Sequence, residues 1–328
     1  QLIAGGIIEN ATLSDGVNSF TGTAGSDSID ITSWNLSNLT IQNGPNLDSD
    51  FDLTVQAIAT SSDPTDNTPP ATTTETIAIR FNAVADVPAL SVTSNAVGNE
   101  DTAIALAIDA DLVDTDGSET LQIRIAGVPS GASLSAGTNL GGGVWSLSKS
   151  DLPGLTITPP DGSDAEFDLT ITAIATESNP TSTDTTVSTP TAQTSETISV
   201  QVDAVADNPE LTVSATATGD EDSPIALNIS GSLLDGDGSE TLDFRISGVP
   251  GGASLSAGTN LGGGTWQLSP ADLAGLTITP PHNSDADFPL TIQAIATETT
   301  PTSTDTTIHT LAATTQASTN VRVIAVAD

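Results

Sequence analysis

The phrase Ala-Val-Ala-Asp occurs three times in this chain, ending at Asp86, Asp207 and Asp328, at equal intervals of 121 residues. The same interval separates Trp145 from Trp266, Asp101 from Asp222, and Glu119 from Glu240. GASLSAGTNLGGG stands at 131–143 and again at 252–264, and GLTITPP at 154–160 and 275–281. A long fixed period means that one folding unit has been copied, so whatever the unit is, the chain is a row of them. Residues 87–207 and 208–328 are two copies. Residues 1–86 are a divergent third, whose FDLTVQAIAT at 51–60 matches FDLTITAIAT at 167–176. Trp34 is matched to Trp145, with five residues missing before Leu39 and five more between Phe51 and Glu75. The start, up to about Ser28, does not align convincingly, which leaves two alternatives: this copy is truncated or it has a different edge.

Each unit is filled with period-2 apolar patterns. Ile104, Leu106 and Ile108 form one set, and Leu121, Ile123 and Ile125 the next. Trp145 and Leu147, Leu155 and Ile157, then Phe167, Leu169, Ile171 and Ala173 follow, and Ile198, Val200 and Val202 close the unit. Alternation of this kind marks half-buried strands, and Gly, Pro, Asn and Asp punctuate the gaps. With a weak run at 89–93 this predicts seven strands, labelled A to G, in each repeat. No helical period competes. Strands with one apolar face need a second sheet to bury it. The expected fold is all-β: tandem immunoglobulin-like antiparallel β-sandwich modules arranged end to end. The tryptophans are expected in the core. The joints, Asp86-Val87-Pro88 and Asp207-Asn208-Pro209, are short, and proline fixes φ there, so they are stiff.

Composition narrows the function. The formal net charge is -37, from 42 acidic and 5 basic residues. Phosphate neutralisation needs Lys and Arg, so nucleic acid is excluded as a partner, and docking on anionic lipid is disfavoured. No run approaches the roughly 18 apolar residues of a membrane span, so direct membrane insertion is not expected. There are no cysteines, hence no disulfides and no thiolate metal sites. The chain opens on Gln1 with no leader pattern, as a piece of a longer polypeptide would.

The acids are not spread evenly. Asp114-Thr-Asp116-Gly-Ser-Glu119 and Asp235-Gly-Asp237-Gly-Ser-Glu240 resemble calcium loops, yet fail the EF-hand spacing, which needs Gly sixth and Glu twelfth. Alternating strand directions put the A–B and E–F loops at the trailing end of a module, where strand G leaves. The B–C loop then lies at the leading end. Glu100, Asp101, Asp164, Glu166 and Asp207 therefore converge on the trailing end of the second module, facing Asp235, Asp237 and Glu240 of the third. The first joint repeats the set with Asp48, Asp50, Asp86, Asp114, Asp116 and Glu119, and Glu9 as a further candidate. Glu221, Asp222, Asp285, Asp287 and Asp328 make the corresponding half-set after the third module. Two like charges 4 Å apart repel by about 1 kcal/mol even in bulk water. Ca²⁺, which takes 6–8 oxygen ligands, is the expected counter-ion at the joints. The bland alternative is a solvated acidic face.

The pattern of an A–B glutamate, an acidic pair before strand F, an acidic linker and a D-x-D in the next module resembles the linker calcium sites of cadherins. The wording of the repeat, GVPSGASLSAGTNLGGGVWSLSKSDLPGLTITPPDGSDAEFDLTITAIATES and DGDGSETLDFRISGVPGGASL, resembles the tandem immunoglobulin-like, cadherin-like extender repeats of giant bacterial RTX adhesins. The likeness covers 87–328 well and about 29–86 in part. It implies a secreted, calcium-stiffened stalk on the surface of a Gram-negative cell, projecting a ligand-binding tip for adhesion and biofilm formation. Its partners would be neighbouring repeats of the same chain.

Other signals are weaker. GTAGSDSID at 22–30 fits a calcium nonapeptide, but a β-roll needs stacked copies, so a turn before a strand is expected. The glycine run lacks a lysine and reads as a hairpin. His282 and His309 are far apart in sequence, and no G-x-S-x-G elbow occurs, so an enzyme is not expected. The Thr-rich F–G segments 178–194 and 299–315 are candidates for an extra hairpin or an ordered edge. There Glu177 with Asp184, and Glu298 with Asp305, are candidates for a further ion. The competing functions are a glycan-binding module and a subunit of an extracellular filament or surface layer held by self-association between chains.

Overall fold

The structure is a computed structural model. It describes residues 1–328 except 45–47, 64, 66, 115–116, 178–188, 237, 299–307 and 328, and it leaves the side chain of His309 undescribed. The fold is a row of immunoglobulin-like β-sandwiches. Among the described residues there is no α-helix, only three short 3-10 turns, at Leu36–Asn38, Lys149–Asp151 and Pro270–Leu273.

In the second module, strand C (Glu119–Ala126) pairs antiparallel with strand F (Phe167–Glu177), and F with strand G (Thr191–Val205). Strand D (Val144–Leu147) flanks C. The facing layer is formed by A (Ala89–Val92) on the second half of B (Ile108–Asp111), and by the first half of B (Ile104–Ala105) on E (Thr156–Thr158). Period-2 alternation does what the sequence reading expects. Ile123, Ile125, Ile157, Leu169, Ile171, Ile198 and Val200 are all fully buried in one core, and the third module builds an equivalent core around Phe244, Ile246, Ile278, Leu290 and Ile292. Each such side chain contributes about 1.5–3 kcal/mol of burial.

Three short strands join the seven expected ones. Ser133–Leu134 pairs with E, and Thr138–Gly141 makes a hairpin with D. The third, A′ (Asn95–Asn99), runs parallel to G, Ala96 lying opposite Val200. A′ delivers Glu100 to the end of G.

Residues 1–86 resolve into the C-to-G part of the same sandwich. Leu2–Gly5 pairs with Phe51–Ala59 as C pairs with F. The equivalence is fixed by a glycine. Gly6, Gly127 and Gly248 all have positive φ, and a Cβ there would lie 2.4–2.7 Å from a carbonyl oxygen of strand F. The beginning of the chain therefore does align, at the same interval of 121, although its side chains have diverged. The match of Trp34 to Trp145 does not hold. Trp145 faces Ile125 on strand C, and the residue facing the equivalent Ala4 is Ile29. Trp34 packs instead on the edge of the small core around Ile7, Leu13 and Ile31. The GTAGSDSID run is, as expected, a turn leading into Ile29–Asp30, with Thr23 and Ser26 bridged across it. Trp145 is only half-buried. It closes one side of the core and also lines an open groove of about 490 Å³ with Pro129, Ser130 and Asn139.

Candidate functional site

The second joint is built from three segments of one module and one loop of the next. Strand A′ ends at Glu100, whose own N–H donates to Asp203 O at 3.1 Å and whose Oε1 accepts from Val205 N at 2.5 Å. This double tie fixes the glutamate to the end of G. Asp101 follows with φ 55°, a left-handed conformation that Asp tolerates better than most residues. Its Oδ1 accepts from Gly162 N at 2.8 Å, which joins the A–B and E–F loops. Asp164, on the same E–F loop, is fully buried.

From the other side, the DGDGSE loop brings Glu240 under the linker. Glu240 Oε1 accepts from the main-chain N–H of Asp207 at 2.7 Å. Asp235 lies against Gly162, so close that a Cβ on that glycine would stand 2.5 Å from Asp235 Oδ1. The two halves inferred from loop direction thus meet.

Their charges are felt. Burial pushes the Glu100 carboxyl up to about 8, against the pull of the Val205 N–H, with the charges of Asp235, Asp101 and Asp164 adding to the rise. Burial also raises Asp207, helped by Asp101, Asp235 and Asp161. Glu240 is raised by burial against the Asp207 N–H, with Asp235, Asp207 and Glu298 adding. Glu100 Oε2 and Glu240 Oε2 are buried and accept no hydrogen bond from the described residues.

The first joint repeats this geometry. Glu119 Oε1 accepts from Asp86 N at 2.6 Å, its Oε2 is buried without a hydrogen bond from the described residues, and burial raises its carboxyl, with Asp114, Asp86 and Glu177 adding. Asp48 and Asp114 are also buried at this end of the first module and the start of the second. Glu9 is exposed, before the strand Thr12–Ser14.

The half-set after the third module has the same internal ties in an uncovered form. Glu221 N donates to Ile324 O at 2.9 Å, and Val326 N to Glu221 Oε1 at 2.8 Å. Asp222 Oδ1 accepts from Asn283 N at 2.9 Å and lies 2.8 Å from His282 Nδ1. Asp285 is exposed where its counterpart Asp164 is fully buried.

Two predicted residues have partners within their own module. Asp50 Oδ1 accepts from Phe81 N at 2.8 Å and Oδ2 lies 3.4 Å from Arg80 Nε. Asp287 repeats this with Val323 N at 2.9 Å and Arg322 Nε at 3.9 Å. Gln201 stands at the matching position of the second module, whose acid is Glu166, placed just before strand F. Asp116, Asp237 and Asp328 lie outside the described residues, as do Asp184 and Asp305. Among the described residues, no three acidic or histidine side chains, as placed, gather closely enough to hold a metal ion.

Three acids take part beyond those assigned to the joints from sequence. Asp161 acts on Asp207, and its position directly after the GLTITPP phrase was the available signal. Glu177 lies opposite Glu119 in register, and Glu298 opposite Glu240, all four buried. Both close the phrase A-I-A-T-E at the end of strand F, and only the pairing register brings them to the joints.

No protein-family model and no curated protein matches the chain. Among solved structures it is similar to the fibronectin(III)-like modules of Clostridium thermocellum CbhA, at 10% identity over 72% of this chain and 95% of that one, with a TM-score of 0.22. It is also similar to the FN1-FN3 domains of chicken CNTN1, at 11% identity over 95% of this chain and 90% of that one, with a TM-score of 0.24. A third similarity, to E. coli alpha-2-macroglobulin, has 12% identity and a TM-score of 0.22, and covers 98% of this chain and 22% of that one.

Proposed function

We propose that this protein is a calcium-stiffened spacer, the extender region of a large adhesin on the outer surface of a Gram-negative cell. One observation carries the calcium reading. Glu100 and Glu240 stand on opposite sides of one joint, each anchored through Oε1, each with a buried Oε2 that accepts no hydrogen bond from the described residues. A buried polar atom left without a partner costs about 1–3 kcal/mol, and more if charged. A hard divalent cation removes that cost and the mutual repulsion together. The donors are all carboxylate or carbonyl oxygens, which suits calcium over zinc or copper.

Glu100, Asp164, Asp207, Asp235 and Glu240 would hold the ion at the second joint, and Asp48, Asp86, Asp114 and Glu119 at the first. Uptake would draw these carboxylates inward from their present positions. The adhesin reading rests on the repeat phrases quoted above.

The test has two arms. Calorimetric titration of the metal-free chain with calcium reads binding, and small-angle scattering with calcium or EDTA reads stiffness. Binding together with an increase in maximum dimension supports the proposal. A titration without heat at any temperature removes calcium. Binding with an unchanged maximum dimension removes the stiffening role and leaves the ion as a local staple.

A further inference from the structure

The end of strand G does more than lead into a linker. Strand Ile308–Thr310 of the third module lies parallel to the last residues of the second module's G strand, with Ala204 opposite Ile308 and Val205 opposite Thr310. Ala206 N then donates to Thr310 O at 2.9 Å. The first joint has the same contact: Val84 bridges Thr189 in parallel, and Ala85 N donates to Thr189 O at 2.8 Å. The F–G segment of each following module therefore adds an edge strand to the module before it. This is a main-chain clasp, separate from the carboxylates.

The alanines of the repeated phrase report what the clasp covers. Ala83 and Ala85 are 0% and 5% exposed, and Ala204 and Ala206 are 0% and 4% exposed. Their counterparts Ala325 and Ala327 are exposed, with Ile324 and Val326 about half exposed beside them. The strand itself is ready: Glu221 ties it through Ile324 O and Val326 N as Glu100 ties its counterpart.

We propose that the edge at Ile324–Ala327 is a docking site for a further β-sandwich module of this repeat. That module would lay its F–G segment on the edge in parallel register and bring its own DGDGSE glutamate under the linker. The observation that selects this occupant is continuity: the same Ala-Val-Ala strand is covered in the same way at both joints. A second copy of this chain fits less well. The clasps of its second and third modules are already engaged.

The experiment appends a second copy of residues 208–328 directly after Asp328 of the full chain. Site-resolved amide exchange is read on Ala327, with Ala85 and Ala206 as internal standards, in EDTA and in calcium. The proposal expects Ala327 exchange to slow by at least tenfold, to the level of Ala206, in both media. A proline at the appended residue that matches Thr310 keeps the carbonyl that accepts from Ala327 but removes that residue's own N–H and fixes its φ, which breaks up the short parallel strand and should restore fast exchange at Ala327. Protection of the appended F strand in that variant shows that its module is folded. In the unextended chain, Thr310→Pro should likewise expose Ala206 to exchange. If Ala327 stays as fast as in the unextended chain, or if the proline variants leave protection unchanged, the docking edge is disproved. Concentration-dependent protection of Ala327 in the unextended chain would assign the edge to a second copy instead and overturn the choice of occupant. Because the clasp is read in EDTA, its failure is distinct from a failure of the calcium reading.

Discussion

Asp207 gives its main-chain N–H to Glu240 Oε1, 2.7 Å away, across the boundary between two modules. The donor belongs to the last residue of one repeat and the acceptor to the first residue of strand C in the next. Asp86 and Glu119 repeat the relationship at 2.6 Å. A linker amide is thus held by a side chain whose other oxygen is buried and accepts no hydrogen bond from the described residues. The joint is bonded on one oxygen and, on our proposal, metal-bound on the other.

Substituting Glu240 separates these two roles. In Glu240→Gln the amide oxygen still accepts from Asp207, while the charge is gone. The metal-free chain should be as stable as the parent or more so, and calcium should no longer lengthen the second joint. In Glu240→Ala the Asp207 N–H loses its acceptor, and the third module should lose about 1–3 kcal/mol even in EDTA. Thermal unfolding in EDTA and scattering in calcium read the two effects. Equal behaviour of both variants in EDTA would show that the hydrogen bond contributes nothing.

The metal-free chain should become less stable as pH rises. Glu100 has its carboxyl raised from 4.5 to about 8, and Glu119, Asp207 and Glu240 are raised as well, each chiefly by burial. Raised acids hold more protons folded than unfolded, so their stabilisation is complete below the unfolded value and is lost as pH climbs through the folded one. For Glu100 the window runs from about pH 4.5 to about pH 8. Calcium binding displaces those protons, so calcium affinity should rise over the same window. Denaturation midpoints at pH 5, 7 and 9, with EDTA and with calcium, test both signs. A metal-free midpoint that rises with pH would contradict the burial of these groups.

Much of this was legible because the informative residues obey simple periods. FDLTITAIATE alternates, so strand F and the core it feeds follow directly. The convergence of Glu100, Asp164 and Asp207 follows from strand direction alone. Asn95–Asn99 was not legible, since its sequence, NAVGN, has a weak pattern and its partner is the parallel strand G. The clasp at Ile308–Thr310 lies in a Thr-rich, weakly patterned segment that the sequence offers as an extra hairpin or an ordered edge; that the edge belongs to the preceding module was not legible, because main-chain pairing across a joint leaves little mark on side chains. The tie of Asp50 to Arg80 was missed for a similar reason: the two lie on different strands, and pairing register, not spacing, makes them neighbours. Matching tryptophan to tryptophan misaligned the first module, where the glycine at the end of strand C keeps the true register.

Glu240 and Glu298 are Cα partners on adjacent strands, and both are buried. Like charges placed opposite each other destabilise a sheet, by about 0.2–1 kcal/mol in ordinary pairs. Glu298→Gln should therefore raise the melting temperature of the third module in EDTA by roughly 1–4 °C. In calcium the gain should shrink, because the ion screens the pair in the parent. Scanning calorimetry in the two media checks this, and a loss of stability in EDTA would mean that the pair is not repulsive.

Gly162 offers a substitution that the protein itself has already accepted elsewhere. It has φ 54°, and the matching residue of the third module is Asn283, at φ 53°. Both N–H groups donate to the aspartate of the A–B loop, Asp101 or Asp222. Asparagine is therefore compatible with this left-handed backbone. What differs is the neighbour. A Cβ at 162 would stand 2.5 Å from Asp235 Oδ1, so the new side chain must push that carboxylate aside. Gly162→Asn should leave the second module folded and displace one carboxylate at the second joint only. Calcium affinity at that joint should fall about tenfold, or 1.4 kcal/mol, while the first joint titrates as before. Calorimetry on the full chain resolves the two classes. A variant that binds at both joints like the parent would exclude Asp235 from the site, and one that weakens both joints equally would show that the two are not independent.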